Sequence, residues 1–316
     1  MYQTEIKKYI KKKLEVLPYI KKLKDRISEL EGNPKHAYAA GHFYSPIPSI
    51  DDILQNDERI FSNPDKAPLE GIDLNEKKQL TLLHEISAFY KEFPYLSDTP
   101  NNARYSLDNT YYYNSDAVFL YLIMRHFKPS KIIEIGSGFS SALMLDTNEY
   151  FLKNKTHCTF IDPHPDRLLS VLSGKDRDHH LVIPKCVQNV EIEFFQQLQE
   201  DDILFIDSSH VSKINSDVNF LLFEILPKLN KGVLIHIHDV FYPFVYPKKW
   251  LLGGRAWNEV FILRAFLQYN DAFEIILFNT FLETYHADWL NSHMPLCLKK
   301  RPAQFSCSGS IWLRKI

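Results

Sequence analysis

The sequence predicts an α/β fold, a doubly wound and mostly parallel sheet with a helical and irregular cap at the N-terminal side. Three observations predict it. From residue 111 onward, short β-type runs alternate with helical patterns, the mark of parallel strands joined by crossover helices. The runs are too apolar to have a wet face, so the sheet should be covered on both sides. The chain has 316 residues but only 10 glycines, and two of these, Gly136 and Gly138, close the first of the runs.

Residues 1–31 carry nine basic side chains against five acidic ones. Ile6, Ile10, Leu14, Leu17, Ile20, Leu23, Ile27 and Leu30 recur every three or four positions, an amphipathic helical stripe. Pro18 should kink or split it, and Gly32-Asn33-Pro34 should stop it. The stripe reads as a solvated helix packed on its own domain or on a second copy in a homodimer. A basic face resting on an anionic membrane surface is the other reading. Residues 32–110 are rich in Pro, Asn and Asp and read as an accessory cap. His42–Pro48 cannot be helical because its prolines fix extended backbone, whereas 75–92 should form a helix.

Residues 111–316 form the α/β domain. The stretch 116–127 is apolar on nearly all sides and predicts a buried helix. Strands are expected at 131–135, 157–162, 180–184, 202–206 and 232–238. Helices are expected at 139–152, 165–173, 190–199, 214–227 and 257–269. A strand at 273–279, an insert at 280–308 and a strand at 310–314 complete the chain.

Composition excludes several classes. Lys and Arg total 37 against 39 Asp and Glu, a net charge of −2, which argues against a nucleic-acid binder. The four cysteines form no Cys-x-x-Cys pair and read as reduced thiols rather than a zinc or thioredoxin-type site. No apolar run is long enough to span a bilayer. The N-terminal lysines lack the apolar run of a secretion signal. A cytoplasmic protein is therefore expected.

The sharpest signal is Ile132-Ile133-Glu134-Ile135-Gly136-Ser137-Gly138-Phe139-Ser140-Ser141: a buried strand, a glycine turn, then a helix. Such a turn lets a ligand approach the backbone and offers it free N–H groups. Asp162 ends the next strand, where a carboxylate can accept both hydroxyls of a ribose. A dinucleotide fingerprint wants a third glycine where Ser141 stands. S-adenosylmethionine (SAM) has no phosphates and carries an ammonium, which suits Glu134 near the turn. The residues therefore favour SAM over NAD.

This stretch resembles the class I SAM-dependent methyltransferases, over about residues 111–316. The shared features are the turn at 134–138, Asp162, the fourth strand Ile203–Asp207 and the fifth strand Gly232–His238. The resemblance implies a Rossmann-like, seven-stranded sheet with an antiparallel last strand. Within the class the chain looks most like small-molecule O-methyltransferases, including the catechol-type and macrolide-sugar branches. His42–Pro48 and Trp257-Asn258-Glu259 are similar to stretches of uncharacterised bacterial members suspected of acting on glycans or secondary metabolites.

Glu134, Gly136, Ser137, Gly138, Ser140, Asp162 and Asp207 are the expected cofactor-binding residues. His210, in Ser208-Ser209-His210, follows the fourth strand at the ligand end of the sheet and is a candidate general base. His238 and Asp239 end the fifth strand and are candidates for the same catalytic work, while His236 reads as a core residue. The metal-dependent branch places one ligand after the fourth strand and a pair at the end of the fifth. Asp207, His238 and Asp239 match those positions, with His where that branch has a carboxylate, so the site is expected to work with or without a divalent metal. The aromatic segment Phe241–Trp250 is a candidate substrate wall. Arg104, Tyr105 and Tyr111–Tyr113 are candidates for closing the cofactor pocket.

The expected function is methyl transfer to a hydroxyl of a small molecule, a saccharide or secondary metabolite. The Asn/Asp-Pro-Pro-aromatic signature of amino-group methylation is absent. An NAD-linked oxidoreductase or epimerase and a non-catalytic SAM-binding scaffold are the alternatives.

Overall fold

The computed structural model describes residues 18–31, 37–61, 69–97, 99–100, 102–299 and 307–316. It divides into two compact units, Met1–Asp57 and Glu58–Ile316. In the first, helix α1 (Pro18–Glu31) carries the second half of the basic stripe. Ile6, Ile10, Leu14 and Leu17 lie outside the described residues, as does the stop at 32–34, and with them the ground for the dimer and membrane-surface readings. His42–Pro48 is a run of turns and bends. Ser49 caps α2 (Ile50–Gln55), its hydroxyl accepting from the Asp52 N–H at 3.3 Å. Helix α3 (Asp57–Phe61) follows.

The second unit holds the sheet and the segment before it. Helix α4 (Glu76–Ser87) ends earlier than its sequence pattern suggests, and a 3₁₀ turn at Tyr90–Glu92 finishes the run. Leu83 and Ile86 are fully buried. Gln79, also fully buried, donates to the Leu74 carbonyl at 2.6 Å and accepts from the Phe278 N–H at 2.8 Å. Helix α5 (Asn114–Phe127) is buried without interruption from Asn114 to Met124, as its uniform hydrophobicity demands.

Then come β1 (Lys131–Ile135), α6 (Phe139–Phe151), β2 (His157–Ile161), the short helices α7 (Asp166–Val171) and α8 (Gly174–His179), and β3 (Leu181–Ile183). Strand β4 (Ile203–Ile206), helix α9 (Asp217–Phe220), strand β5 (Leu234–His238), helices α10 (Lys248–Leu252) and α11 (Glu259–Leu267), and strand β6 (Phe273–Phe278) continue the order. Helices α12 (Asn279–Tyr285) and α13 (Ala287–His293) fill the insert before β7 (Ser310–Lys315). The sheet has seven strands in the order β3-β2-β1-β4-β5-β7-β6. β7 runs antiparallel to both neighbours, and every other pairing is parallel. No helix among the described residues is long and apolar enough to cross a membrane.

Two expected helices are not regular α-helices. Residues 190–199 hold a 3₁₀ helix at Ile192–Gln197, after a 3₁₀ turn at Val187–Asn189. The Asn230 amide takes the Gln196 and Leu198 carbonyls at 2.7 and 2.8 Å, a side chain supplying what a further helical turn would. In 214–227, α9 widens into a π turn at Leu221–Ile225 and tightens into a 3₁₀ turn at Leu226–Lys228. Pro227 has no N–H to donate, and the backbone changes its hydrogen-bond spacing around it.

Candidate active site

The glycine turn is fixed by its neighbours. The Gly136 N–H donates to Ile161 at 3.0 Å, and the Asp207 N–H donates to Ile135 at 2.8 Å, so the ends of β1, β2 and β4 are tied together. Gly136 has φ +77°, and a Cβ there would lie 2.1 Å from the Asp207 carbonyl oxygen. No other residue fits. At Gly138 a Cβ would meet only the Arg167 side chain, at 2.8 Å.

Behind the turn, Glu134 is fully buried and accepts from the hydroxyls of Ser140 and Ser141, each at 2.5 Å. Burial pushes its carboxyl up to about 8 against the pull of those two hydrogen bonds. Ser141 also accepts from the Gly138 N–H at 2.9 Å, so the residue standing in for a third glycine locks the helix start. Glu134 and Ser140 thus brace the turn from inside. Asp162 is half-buried at the end of β2. One of its oxygens accepts from the Ser137 N–H and hydroxyl at 2.9 and 2.8 Å, and the other from the His164 N–H at 2.7 Å.

Beside the turn lies a cluster of acids and imidazoles. The His210 Nδ1 bonds Glu259 at 2.8 Å, and its Nε2 faces Asp207 at 3.4 Å and Asp239 at 3.5 Å. The other Glu259 oxygen accepts from Ser208 at 2.9 Å. The His238 Nε2 is 3.5 Å from Asp239, and its Nδ1 is 3.9 Å from the buried Asp116. Asp116 is itself held by Ser310, Asn279 and the Gly309 N–H. His210 and Asp239 both have left-handed backbone, at φ 59° and 56°, a conformation costly for such residues and frequent at functional sites. The Asp207 side chain is 38% exposed while Asp239 and both histidines are 6–11% exposed, so Asp207 is the open face of the cluster.

The charges set one another. Burial opposes the charged form of His210, but the bonds to Asp207 and Glu259 and the nearby charge of Asp239 hold it well above the usual imidazole range. His238 is raised in the same way by Asp239, Asp207 and Asp116. Burial would raise Asp207, yet His238, His210 and Arg167 outweigh it and hold that carboxyl low. At Asp239 burial wins and pushes the carboxyl up to about 6.

The sequence-predicted residues Asp207, His210, His238 and Asp239 therefore meet in one place. Asp207, His238 and Asp239 are the candidate ligands of a divalent metal with or without which the site is expected to work. Among the described residues no group of three metal-binding side chains is arranged around a common point. The His210 imidazole contacts the carboxylates of both Asp207 and Asp239.

Other expected residues lie apart from the cluster. Arg104 pairs with Asp146, Glu149 and Asp176, each at 2.7 to 2.8 Å, and lines a separate cleft of about 880 Å³ flanked by α6 and α8. Tyr105 donates to the Tyr112 carbonyl at 2.7 Å inside the core. His236 is a core residue, stacked 4.0 Å from Phe205, and neither ring nitrogen has a hydrogen-bond partner. Of the partners missed, Glu259 appeared only within a resembling run, and Asp116 and Arg167 belong to no local motif. Arg167 lies 4.5 Å over the Tyr111 ring beside the turn.

A family model described as a methyltransferase domain matches residues 133–240, from within β1 to just past β5. That span holds the glycine turn, Asp162 and four members of the cluster. An uncharacterized protein of Archaeoglobus fulgidus is 34% identical over 174 residues, covering 52% of this chain and 76% of that protein. The chain carries a methyltransferase domain. Solved structures similar to this methyltransferase include the S-adenosylhomocysteine-bound methyltransferase of Podospora anserina, 14% identical, with a TM-score of 0.41 over 86% of this chain and 99% of that one. Another is an O-methyltransferase of Streptomyces achromogenes involved in tomaymycin synthesis, 11% identical, with a TM-score of 0.38 over 74% and 89% of the two chains.

Proposed function

We propose that this methyltransferase transfers the methyl group of SAM to a hydroxyl oxygen of a small-molecule acceptor, of the saccharide or secondary-metabolite class. The observation that carries the reading is the acid–imidazole cluster Asp207–His210–Asp239–His238, which adjoins a glycine turn that no side chain can enter. The residues fit the cofactor. Gly136, Ser137 and Gly138 open a cradle at the start of α6, Asp162 stands where ribose hydroxyls would be held, and Glu134 and Ser140 keep the cradle in shape. The carboxylates of Asp162 and Asp207 suit a cationic cofactor and would repel a pyrophosphate. When bound, SAM supplies an electrophilic methyl group on a sulfonium.

The acceptor hydroxyl must then be held in line and relieved of its proton. His210, fixed at Nδ1 by Glu259, stays protonated and orients the two carboxylates beside its Nε2. Asp239 is ionised above about pH 6 and is the base we assign, which moves that task from the imidazole to the carboxylate beside it. His238 steadies the resulting charge from the other side. Phe241, Phe244, Tyr246 and Trp250 of the expected substrate wall are instead buried in the core, so the segment says nothing about a ring on the acceptor.

Calorimetry with SAM, S-adenosylhomocysteine and NAD tests the cofactor; binding of NAD alone would overturn the reading, and binding of none would favour a scaffold. Asp239→Asn should lower kcat by roughly 10²- to 10⁴-fold with cofactor affinity unchanged. The wild-type kcat should rise with pH through about 6, because Asp239 acts only when deprotonated. Wild-type turnover in the variant would remove Asp239 from the chemistry.

A further inference from the structure

After Asp239, the connection between β5 and α11 is basic. Residues 240–258 contain Lys248, Lys249 and Arg255 and no acid, in a protein whose net charge is −2. Arg255 is exposed, yet it is held in place. Its guanidinium carbon lies 4.4 Å from the Trp250 ring and 5.0 Å from the Trp257 ring, in the corner made by two indoles 5.4 Å apart and 80° inclined. Its N–H donates to the Trp250 carbonyl at 3.0 Å, closing a turn that Gly254 enables with φ +86°.

Arg104, Arg125 and Arg314 each pair with a carboxylate. Arg255 pairs with none among the described residues, and neither do Arg59, Arg167, Arg177 and Arg264; it is the one of these stacked between two indoles. A guanidinium stacked on aromatic faces has its rotamers fixed and its N–H edge outward, ready for two parallel bonds to an oxyanion. The position of that edge matters because Trp257 also packs against the His210 ring, at 4.3 Å. One indole thus forms a wall shared by the arginine and the acid–imidazole cluster.

We propose that Arg255 anchors an anionic group, a carboxylate or a phosphate, on the methyl acceptor. The substrate class is then a hydroxyl compound carrying an acidic substituent, with the half-buried Trp257 beside it. The proposal rests on the methyltransferase reading and adds the acceptor's charge to it. The cluster itself presents carboxylates, so an acidic acceptor is helped by a cation outside it; Arg167 stands on the side of the glycine turn and Arg255 on the side of Trp257.

The test uses matched acceptors that differ in one acidic group: 3,4-dihydroxybenzoate against catechol, galacturonate against galactose, and glucose 6-phosphate against glucose. Each is titrated by tryptophan fluorescence into the full chain, alone and with S-adenosylhomocysteine, and each is assayed for turnover with SAM. At least one anionic member should bind or react roughly tenfold to a hundredfold better than its neutral partner, the range of a charge-assisted hydrogen-bond pair. Whether carboxylate or phosphate pairs show the preference identifies the group. Arg255→Gln should erase the preference through Kd or KM, with kcat, thermal midpoint and S-adenosylhomocysteine affinity unchanged, and Arg255→Lys should keep part of it. The proposal falls if wild type shows no preference, if the preference survives in Arg255→Gln, or if that variant loses cofactor-product affinity instead. Failure of the wild type to bind S-adenosylhomocysteine would overturn the methyltransferase reading, while the anion titration would still report on Arg255.

Discussion

A single methyl group at position 136 has no room, because Cβ and the Asp207 carbonyl oxygen cannot share the 2.1 Å left to them, and the proposed cofactor cradle would lose its shape. Gly136→Ala also forces a side chain into positive φ, at a cost of about 1–2 kcal/mol before the clash is counted. The variant should melt several degrees lower and lose S-adenosylhomocysteine binding by calorimetry; unchanged binding would mean that the β1 and β4 ends can separate freely. This residue was legible in the sequence, as were Asp162, Asp207, His210, His238 and Asp239, because each ends or follows a strand with a clear apolar run. Glu259 and Asp116 were not legible as members of the cluster. Glu259 reaches His210 from 49 residues away, and Asp116 lies in an apolar helix with no local sign of its partners. The charge of His210 was hidden for the same reason: its three carboxylates come from three separate segments.

Between elements, legibility followed hydrophobic period. The seven strands were readable because fully buried strands are short apolar runs between breakers. The 190–199 and 214–227 helices were readable only as apolar spacing, which α, 3₁₀ and π turns share. The polar attachment of α4 to the sheet was invisible, since it rests on long-range partners, the Gln79 amide and the Lys78–Glu274 ion pair. Gln79 bonds the Leu74 carbonyl and the Phe278 N–H, joining a helix ahead of the domain to the strand β6 near its end. Gln79→Leu keeps the volume but strands the Phe278 N–H in the interior, at about 1–3 kcal/mol. Urea denaturation should show that loss with cofactor affinity intact. A stability equal to wild type would mean that α4 is held without that amide.

Across the whole molecule, the sheet order decides how stability responds to acid. Placing antiparallel β7 beside β5 sets Trp312 opposite His236, while β4 sets Phe205 on its other side. His236 ends up fully buried among rings and is held neutral, its pKa driven well below the usual value by burial and by His238. The unfolded chain takes up a proton at this residue near pH 6.5, and the folded chain does not. Acidification below about pH 6.5 therefore favours unfolding by up to about 1.4 kcal/mol per pH unit from this residue. Glu134, His210 and His238 are raised and work in the opposite sense, since the folded state binds their protons more tightly. The net slope of the wild type mixes these four with Asp116, Asp239 and Glu283, which are also raised, and His180, which is lowered, so the informative quantity is a difference. His236→Phe preserves the stack on Phe205 and removes the titration. Between pH 7.5 and 5.5 its urea midpoint should gain on that of the wild type at each step down. Parallel midpoints would show that His236 takes up a proton in the folded protein, and that its unpaired nitrogens are reached by water.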